Sequence, residues 1–172
     1  MLDMTRQAMH AGVRARDLPG LMELYELNYI QLRRLVPDFD VLPARAVSQV
    51  AGALPLYLDI VERSPYTTTL RLTYRFSDES GEFPAPDLLL RLYHDAQVAE
   101  VISRGRRRGR RAAEYDRFHT RHSLQEKWEA NRFLHKWLGY CLRQGHGFSP
   151  ARNEISNAIQ VVEDEPLADA ES

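Results

Sequence analysis

From Thr68 to Phe76 the chain alternates without a break. Thr68, Leu70, Leu72, Tyr74 and Phe76 fall on one side, and Thr69, Arg71, Thr73 and Arg75 on the other. In an extended strand successive side chains point to opposite faces, so this period of two makes one buried surface and one wet one. A strand of that kind is stable only inside a sheet, and its neighbours are legible in the flanking sequence.

Leu54, Leu56, Leu58 and Ile60 share a face opposite Tyr57 and Asp59, and Ser64-Pro65 supplies the turn that follows. Leu88 to His94 reads as a further strand with Leu88, Leu90 and Leu92 inward. Asp95-Ala96 then suits a tight hairpin, with Gln97 to Ser103 returning beside it. A shorter strand fits Ala46–Ala51, whereas Ser77 to Pro86, with Gly81, Pro84 and Pro86, reads as a polar loop.

The period changes at both ends of this block. Asp17 is placed as a helix N-cap with Pro19 in the first turn, where a missing N–H costs nothing. Leu21, Met22, Tyr25, Tyr29 and Leu32 then recur at helical spacing until Pro37, with Leu24, Leu27 and Ile30 widening the stripe. Phe39 to Arg45 reads as a linker. Near the C-terminus Leu124, Trp128, Phe133, Leu134, Trp137, Leu138, Cys141 and Leu142 form a broad apolar stripe, closed by Gly145. The expected fold is α+β: an antiparallel β-meander of four to five strands flanked by an N-terminal and a C-terminal amphipathic helix. Residues 1–16 are expected as a flexible segment, 17–147 as one domain and 148–172 as a weakly structured acidic tail.

Composition narrows the function classes. With 44% apolar residues among 172, a real core can form. The formal net charge of −1 hides a local imbalance: eight arginines lie between Arg104 and Arg121, and six acids with no base follow Arg152. The chain is not an overall polycation, so bulk charge gives no argument for nucleic acid. Cys141 is the only cysteine, which excludes an intrachain disulfide and a cysteine zinc site. No apolar run reaches the roughly 18 residues of a membrane span, and Met1 to Arg16 lacks a secretory core, so the cytoplasm is the expected compartment. Lys127 and Lys136 are the only lysines, a bias that fits base composition better than function.

Three groups of residues carry chemistry. The first is Tyr93-His94-Asp95 with Glu100 across the hairpin, where a histidine and two carboxylates suit metal binding or general acid–base work. The plainer alternative is a turn pinned by hydrogen bonds. Strand alternation puts His94 inward with Leu92 and Arg91 outward, which separates a base from its anion anchor. The second is His119, His122 and Glu126, whose spacings of three and four would stack them on one helix face as metal ligands. His119 precedes the helix start and the zincin spacing is missing, so a metal site is not expected; His122 and Ser123 suit a cap. The third is Arg104, Arg106, Arg107, Arg108, Arg110 and Arg111 with Gly105 and Gly109, able to grip phosphates or equally to form a solvated charged loop. No phosphate-binding glycine loop and no nucleophile elbow is present, and no cofactor is expected.

Leu24-Tyr-Glu-Leu-Asn28 leading into Gln31-Leu-Arg-Arg-Leu-Val-Pro37, Tyr66-Thr-Thr68, Arg91-Leu-Tyr-His-Asp-Ala96, Val98-Ala-Glu-Val101, Glu126-Lys127, Asn131, Phe133-Leu134, Trp137-Leu138 and Tyr140-Cys141-Leu142 stand in order at fitting intervals. In these residues the chain resembles the YqiB-like proteins, a bacterial family filed as a domain of unknown function. The resemblance covers roughly Leu18 to Gly145. It implies a cytoplasmic protein of proteobacterial type with no established activity, and it points to Arg91, His94, Asp95, Glu100 and Asn131 as the residues of any shared site. Arg117-Phe118-His119 and Gln125 depart from the family pattern, as does the arginine run.

The reading that results is a small non-catalytic binding or regulatory protein with an unknown protein partner or small ligand and no membrane. The alternative is a hydrolase of a small phosphorylated or nucleotide substrate, with His94 as base and Arg91 as anion anchor. Nucleic-acid contact through the arginine loop is a third and weaker reading.

Overall fold

A computed structural model describes residues 17–79, 81–104 and 123–149. In chain order the elements are α1 (Leu18–Leu35), β1 (Arg45–Ser48), β2 (Leu56–Arg63), β3 (Thr67–Asp78), β4 (Gly81–Tyr93), β5 (Val98–Arg104) and α2 (Leu124–Arg143). The strands form one sheet in the order β1-β2-β3-β4-β5, antiparallel throughout. The expected α+β meander between two helices is therefore the observed fold.

Local chemistry sets the helix ends. Asp17 accepts a hydrogen bond from the Gly20 N–H at 2.8 Å, and the Val36 N–H closes the last turn on the Leu32 carbonyl. Pro37 disfavours helical geometry at the residue before it, so α1 stops at Leu35. At the start of α2, Ser123 and Glu126 form a capping box, each side chain bonded to the other's N–H (2.9 and 3.2 Å). At its end Gly145 takes φ +91°, the left-handed conformation that lets the His146 N–H turn back to the Cys141 carbonyl at 3.1 Å.

The C-terminal half of α1 packs with α2 on one face of the sheet. Leu32 and Leu35 of α1 and Leu134, Trp137, Leu138 and Cys141 of α2 share a single core with Leu56, Leu58, Leu70, Leu72, Leu90 and Leu92. Each leucine in that core is fully buried, and burying one stabilises the fold by about 1.5–3 kcal/mol. A second cluster joins Leu21, Leu24 and Tyr25 to Trp128 beside Val98 of β5. Some stripe residues sit elsewhere: Met22, Leu124 and Phe133 are exposed, while Asn28 and Asn131 fill buried helix positions.

The largest departure from expectation is the segment Ser77 to Pro86. It is not a loop but the distal half of a long β3–β4 hairpin, paired out to Asp78 and Gly81. The register slips between Thr73/Asp87 and Arg75/Pro84, so Ala85 and Pro86 of β4 stand opposite Tyr74 alone, a bulge that accommodates Pro86 without a ladder N–H. Beyond the slip, Phe76 leaves the core and is exposed. Leu54 likewise precedes β2 and is exposed.

Past α2 the chain turns back across the core. His146 and Phe148 are buried, and the Phe148 N–H donates to the Leu35 carbonyl at 2.8 Å. Among the described residues no helix is long and apolar enough to cross a membrane.

Candidate functional site

The turns of the β2–β3 and β4–β5 hairpins lie side by side, joined where the His94 N–H donates to the Tyr66 carbonyl at 2.8 Å. The C-terminal end of α1 and the segment after it come against this end of the sheet. Arg63 of β2 fixes that segment by donating to the carbonyls of Phe39 and Leu42. Between these parts opens a groove of about 710 Å³, walled by Ile30, Arg33, Arg34, Phe39, Asp40 and His94 among others. That volume lies within the roughly 300–1,000 Å³ of small-molecule sites.

His94 forms one wall and both its ring nitrogens are engaged. Tyr29 Oη lies 3.2 Å from Nδ1 and Thr68 Oγ1 lies 2.8 Å from Nε2. A neutral imidazole has one donor and one acceptor nitrogen, so one hydroxyl accepts from the ring and the other donates to it. Burial, and then the positive charge of Arg33, push the His94 pKa below its ordinary value, while Asp40 and Asp95 pull the other way. The Phe39 ring packs on His94 at 5.6 Å between centroids, and the Arg33 guanidinium sits 5.9 Å from the centre of Phe39. Among the described residues, neither Arg33 nor Arg34 forms an ion pair.

Arg91 and Glu100 belong to the opposite face. They are register partners on β4 and β5. Arg91 Nε donates to Thr69 Oγ1 at 3.3 Å, and Tyr93 Oη donates to Glu100 Oε1 at 3.0 Å. Tyr25 of α1 also hydrogen-bonds the buried Glu100; burial and that carboxylate push the pKa values of Tyr25 and Tyr93 up, with Arg91 opposing the shift at Tyr93. On the same face Asp87 accepts from Thr73 at 2.9 Å and pairs with Arg71. These groups form hydrogen-bonded clusters on that face of the sheet.

The five residues singled out by the resemblance thus occupy separate places. His94 lines the groove and Asp95 is exposed on the turn beside it. Arg91 and Glu100 lie across the sheet. Asn131 is fully buried in α2, where its side-chain oxygen accepts the Val101 N–H at 2.9 Å, its amide donates to the Lys127 carbonyl, and its own carbonyl accepts from Asn28. It thereby occupies one backbone N–H of β5, the strand at the edge of the sheet. Of the metal candidates, Glu126 is occupied in the capping box, while His119 and His122 lie outside the described residues. Among the described residues no three histidine, cysteine or acidic side chains are placed to hold a metal ion. Arg104 rests over the Phe133 ring at 5.1 Å, and Arg106, Arg107, Arg108, Arg110 and Arg111 lie outside the described residues.

The pattern of the family described as "Protein of unknown function (DUF1249)" matches residues 31–147. The chain belongs to the DUF1249 family. It is 39% identical over 130 residues to the protein named "Uncharacterized protein YqiB" of Escherichia coli strain K12, an alignment covering 75% of this chain and 91% of the relative. The YqiB proteins of E. coli O157:H7 and O6:H1 match to the same extent. No solved structure matches. The stretch matched by the DUF1249 pattern contains Arg33, Arg34, Phe39, Thr68 and His94, and Tyr29 lies just ahead of it.

Sequence reasoning missed Arg33, Arg34, Tyr29 and Thr68, which read as an ordinary helix end, a core position and a strand position. It also missed a buried pair at the other end of the core. His146 Nδ1 lies 3.1 Å from Ser48 Oγ, which also accepts the Gly147 N–H at 3.1 Å. Ser48 and His146 are only 3% and 4% exposed, so this serine and histidine tie the C-terminal segment to β1 rather than facing a substrate.

Proposed function

We propose that this DUF1249 protein is a small non-catalytic binding or regulatory module that engages its ligand in the groove beside His94. The observation carrying this reading is that both nitrogens of His94 meet hydroxyls of the protein itself, Tyr29 and Thr68. A general base must direct a nitrogen at the proton it removes, within about 3 Å or through one water. Here each ring edge is turned toward the fold. The hydrolase alternative pairs His94 with Arg91 as anion anchor, and Arg91 is bonded to Thr69 on the far face of the sheet. Neighbouring Thr68 and Thr69 point to opposite sides of the strand, which supports reading the two groups as separate rather than as one catalytic pair.

The test is a turnover assay on the full chain. Phosphomonoesters and nucleotides are incubated with the protein, with and without Mg²⁺, Mn²⁺ or Zn²⁺. The expected result is no product above the protein-free control. Hydrolysis that falls a hundredfold or more in His94→Gln would overturn the reading and establish His94 as a catalytic group.

A further inference from the structure

Resting on the reading of the groove as a binding site, we infer that its ligand is a small organic anion, with a phosphate or carboxylate held by Arg33 and Arg34 and an apolar or aromatic body against Ile30 and Pro37. Arg33 and Arg34 both line the groove, and among the described residues neither has a carboxylate partner. Two guanidinium groups in one groove with Asp40 as its one lining acid leave an excess of positive charge, and a bound anion relieves it.

Helix capping accounts for them poorly. Cations do favour the C-terminal end of a helix through its dipole, but the worth of this at an exposed site is a few tenths of a kcal/mol to about 1. The carbonyls of Leu32 and Leu35 are taken by the N–H groups of Val36 and Phe148, so those two do not need the arginines as donors. The guanidinium fork matches a phosphate or carboxylate with two parallel hydrogen bonds, a stronger use of the same groups.

The rest of the wall describes the remainder of the ligand. Ile30, 55% exposed, and the exposed Pro37 offer apolar surface beside the charges. Asp40 also lines the groove, and one acid against two arginines leaves it net positive. Inorganic phosphate alone would leave this surface uncovered in a groove of about 710 Å³. The chemistry therefore favours an anion carrying an organic group of moderate size.

Titration calorimetry on the full chain tests the inference with three probes: phenyl phosphate, phenylacetate and inorganic phosphate. At least one aromatic anion is expected to bind more tightly than inorganic phosphate, and the better of the two identifies the anionic group. Arg33→Gln and Arg34→Gln should each weaken that binding about tenfold or more, as the loss of a charge-assisted hydrogen bond implies. Both arginines are exposed, so far-UV circular dichroism should be unchanged. Arg45→Gln, on β1 and 90% exposed at its side chain, should bind as the wild type does. Absence of binding by all three probes at millimolar concentration overturns the inference, as does binding that survives in the Arg33→Gln/Arg34→Gln double variant. The two readings fail separately. Phenyl phosphate that binds through the arginines and is then hydrolysed leaves the anion site standing and removes the non-catalytic reading. A chain that neither binds nor turns over any probe removes the anion site alone.

Discussion

Thr68 Oγ1 lies 2.8 Å from His94 Nε2, so a hydroxyl in β3 fixes the ring just past the end of β4. Thr68 is 4% exposed, and replacing it by valine keeps the side-chain shape while removing the partner. Thr68→Val is expected to lower stability by about 1–2 kcal/mol, the cost of a buried polar group left without its bond. Urea unfolding measures this, and an unchanged midpoint would show that the bond contributes nothing.

His94 also predicts a pH dependence. Burial, then Arg33, hold its folded pKa below the ordinary 6.5, against the pull of Asp40 and Asp95. The unfolded chain therefore takes up a proton at a pH where the folded chain does not. Stability is unaffected by this group above 6.5 and falls as pH drops below that value toward the folded pKa. His135, depressed by burial, adds an effect of the same sign. The unfolding midpoint should drop between about pH 7 and pH 5, and drop less in His94→Gln. Equal pH slopes in the two proteins would remove His94 as a source.

Arg71 and Asp87 make a pair with unequal burial. The Asp87 side chain is 2% exposed and that of Arg71 20%, with contacts of 2.9 and 3.0 Å. Arg71→Met leaves a buried carboxylate with Thr73 among its remaining donors, and should cost about 3 kcal/mol. Arg71→Met/Asp87→Leu should recover part of that loss, because no unpaired charge remains. A double variant less stable than the single one would contradict the account.

Asn131 is the acceptor for the Val101 N–H on the β5 edge. Asn131→Leu should destabilise the fold by about 2 kcal/mol and speed hydrogen exchange at the Val101 amide in the native state. Exchange at Val101 that stays at the wild-type rate, relative to neighbouring β5 amides, would rule out this role.

The Cys141 thiol is fully buried, and burial pushes its pKa up to about 11 even with the Tyr74 hydroxyl 3.4 Å away. The thiolate is the reactive form, so the folded chain should resist a thiol reagent at pH values near 8 and react fully once denatured. Rapid labelling of the native protein would show that this part of the core opens.

Much of the fold was legible because its signals are local. Alternation from Thr68 to Tyr74 needs only one strand's own residues, and Asp17, Pro37 and Gly145 mark helix ends through their own backbone chemistry. Ser77 to Pro86 misled because its prolines and glycine are ordinary loop residues; the register slip that admits them depends on the partner strand. The groove was illegible for a related reason. Arg33, Phe39 and His94 come from three segments whose meeting is set by the packing of α1 on the sheet. The Ser48–His146 contact joins residues far apart in the chain, and neither carries a local signature.

The hydrogen bond from Phe148 to Leu35 has a consequence for synthesis. Leu35 emerges early from the ribosome, and Phe148 only after the whole sheet and the second helix have been made. The end of the first helix, which forms one bank of the groove, receives its final partner from the last buried residue of the described chain. Closure of the first helix thus waits until Phe148 has been made, and a nascent chain halted short of Phe148 carries the groove with one bank unfastened.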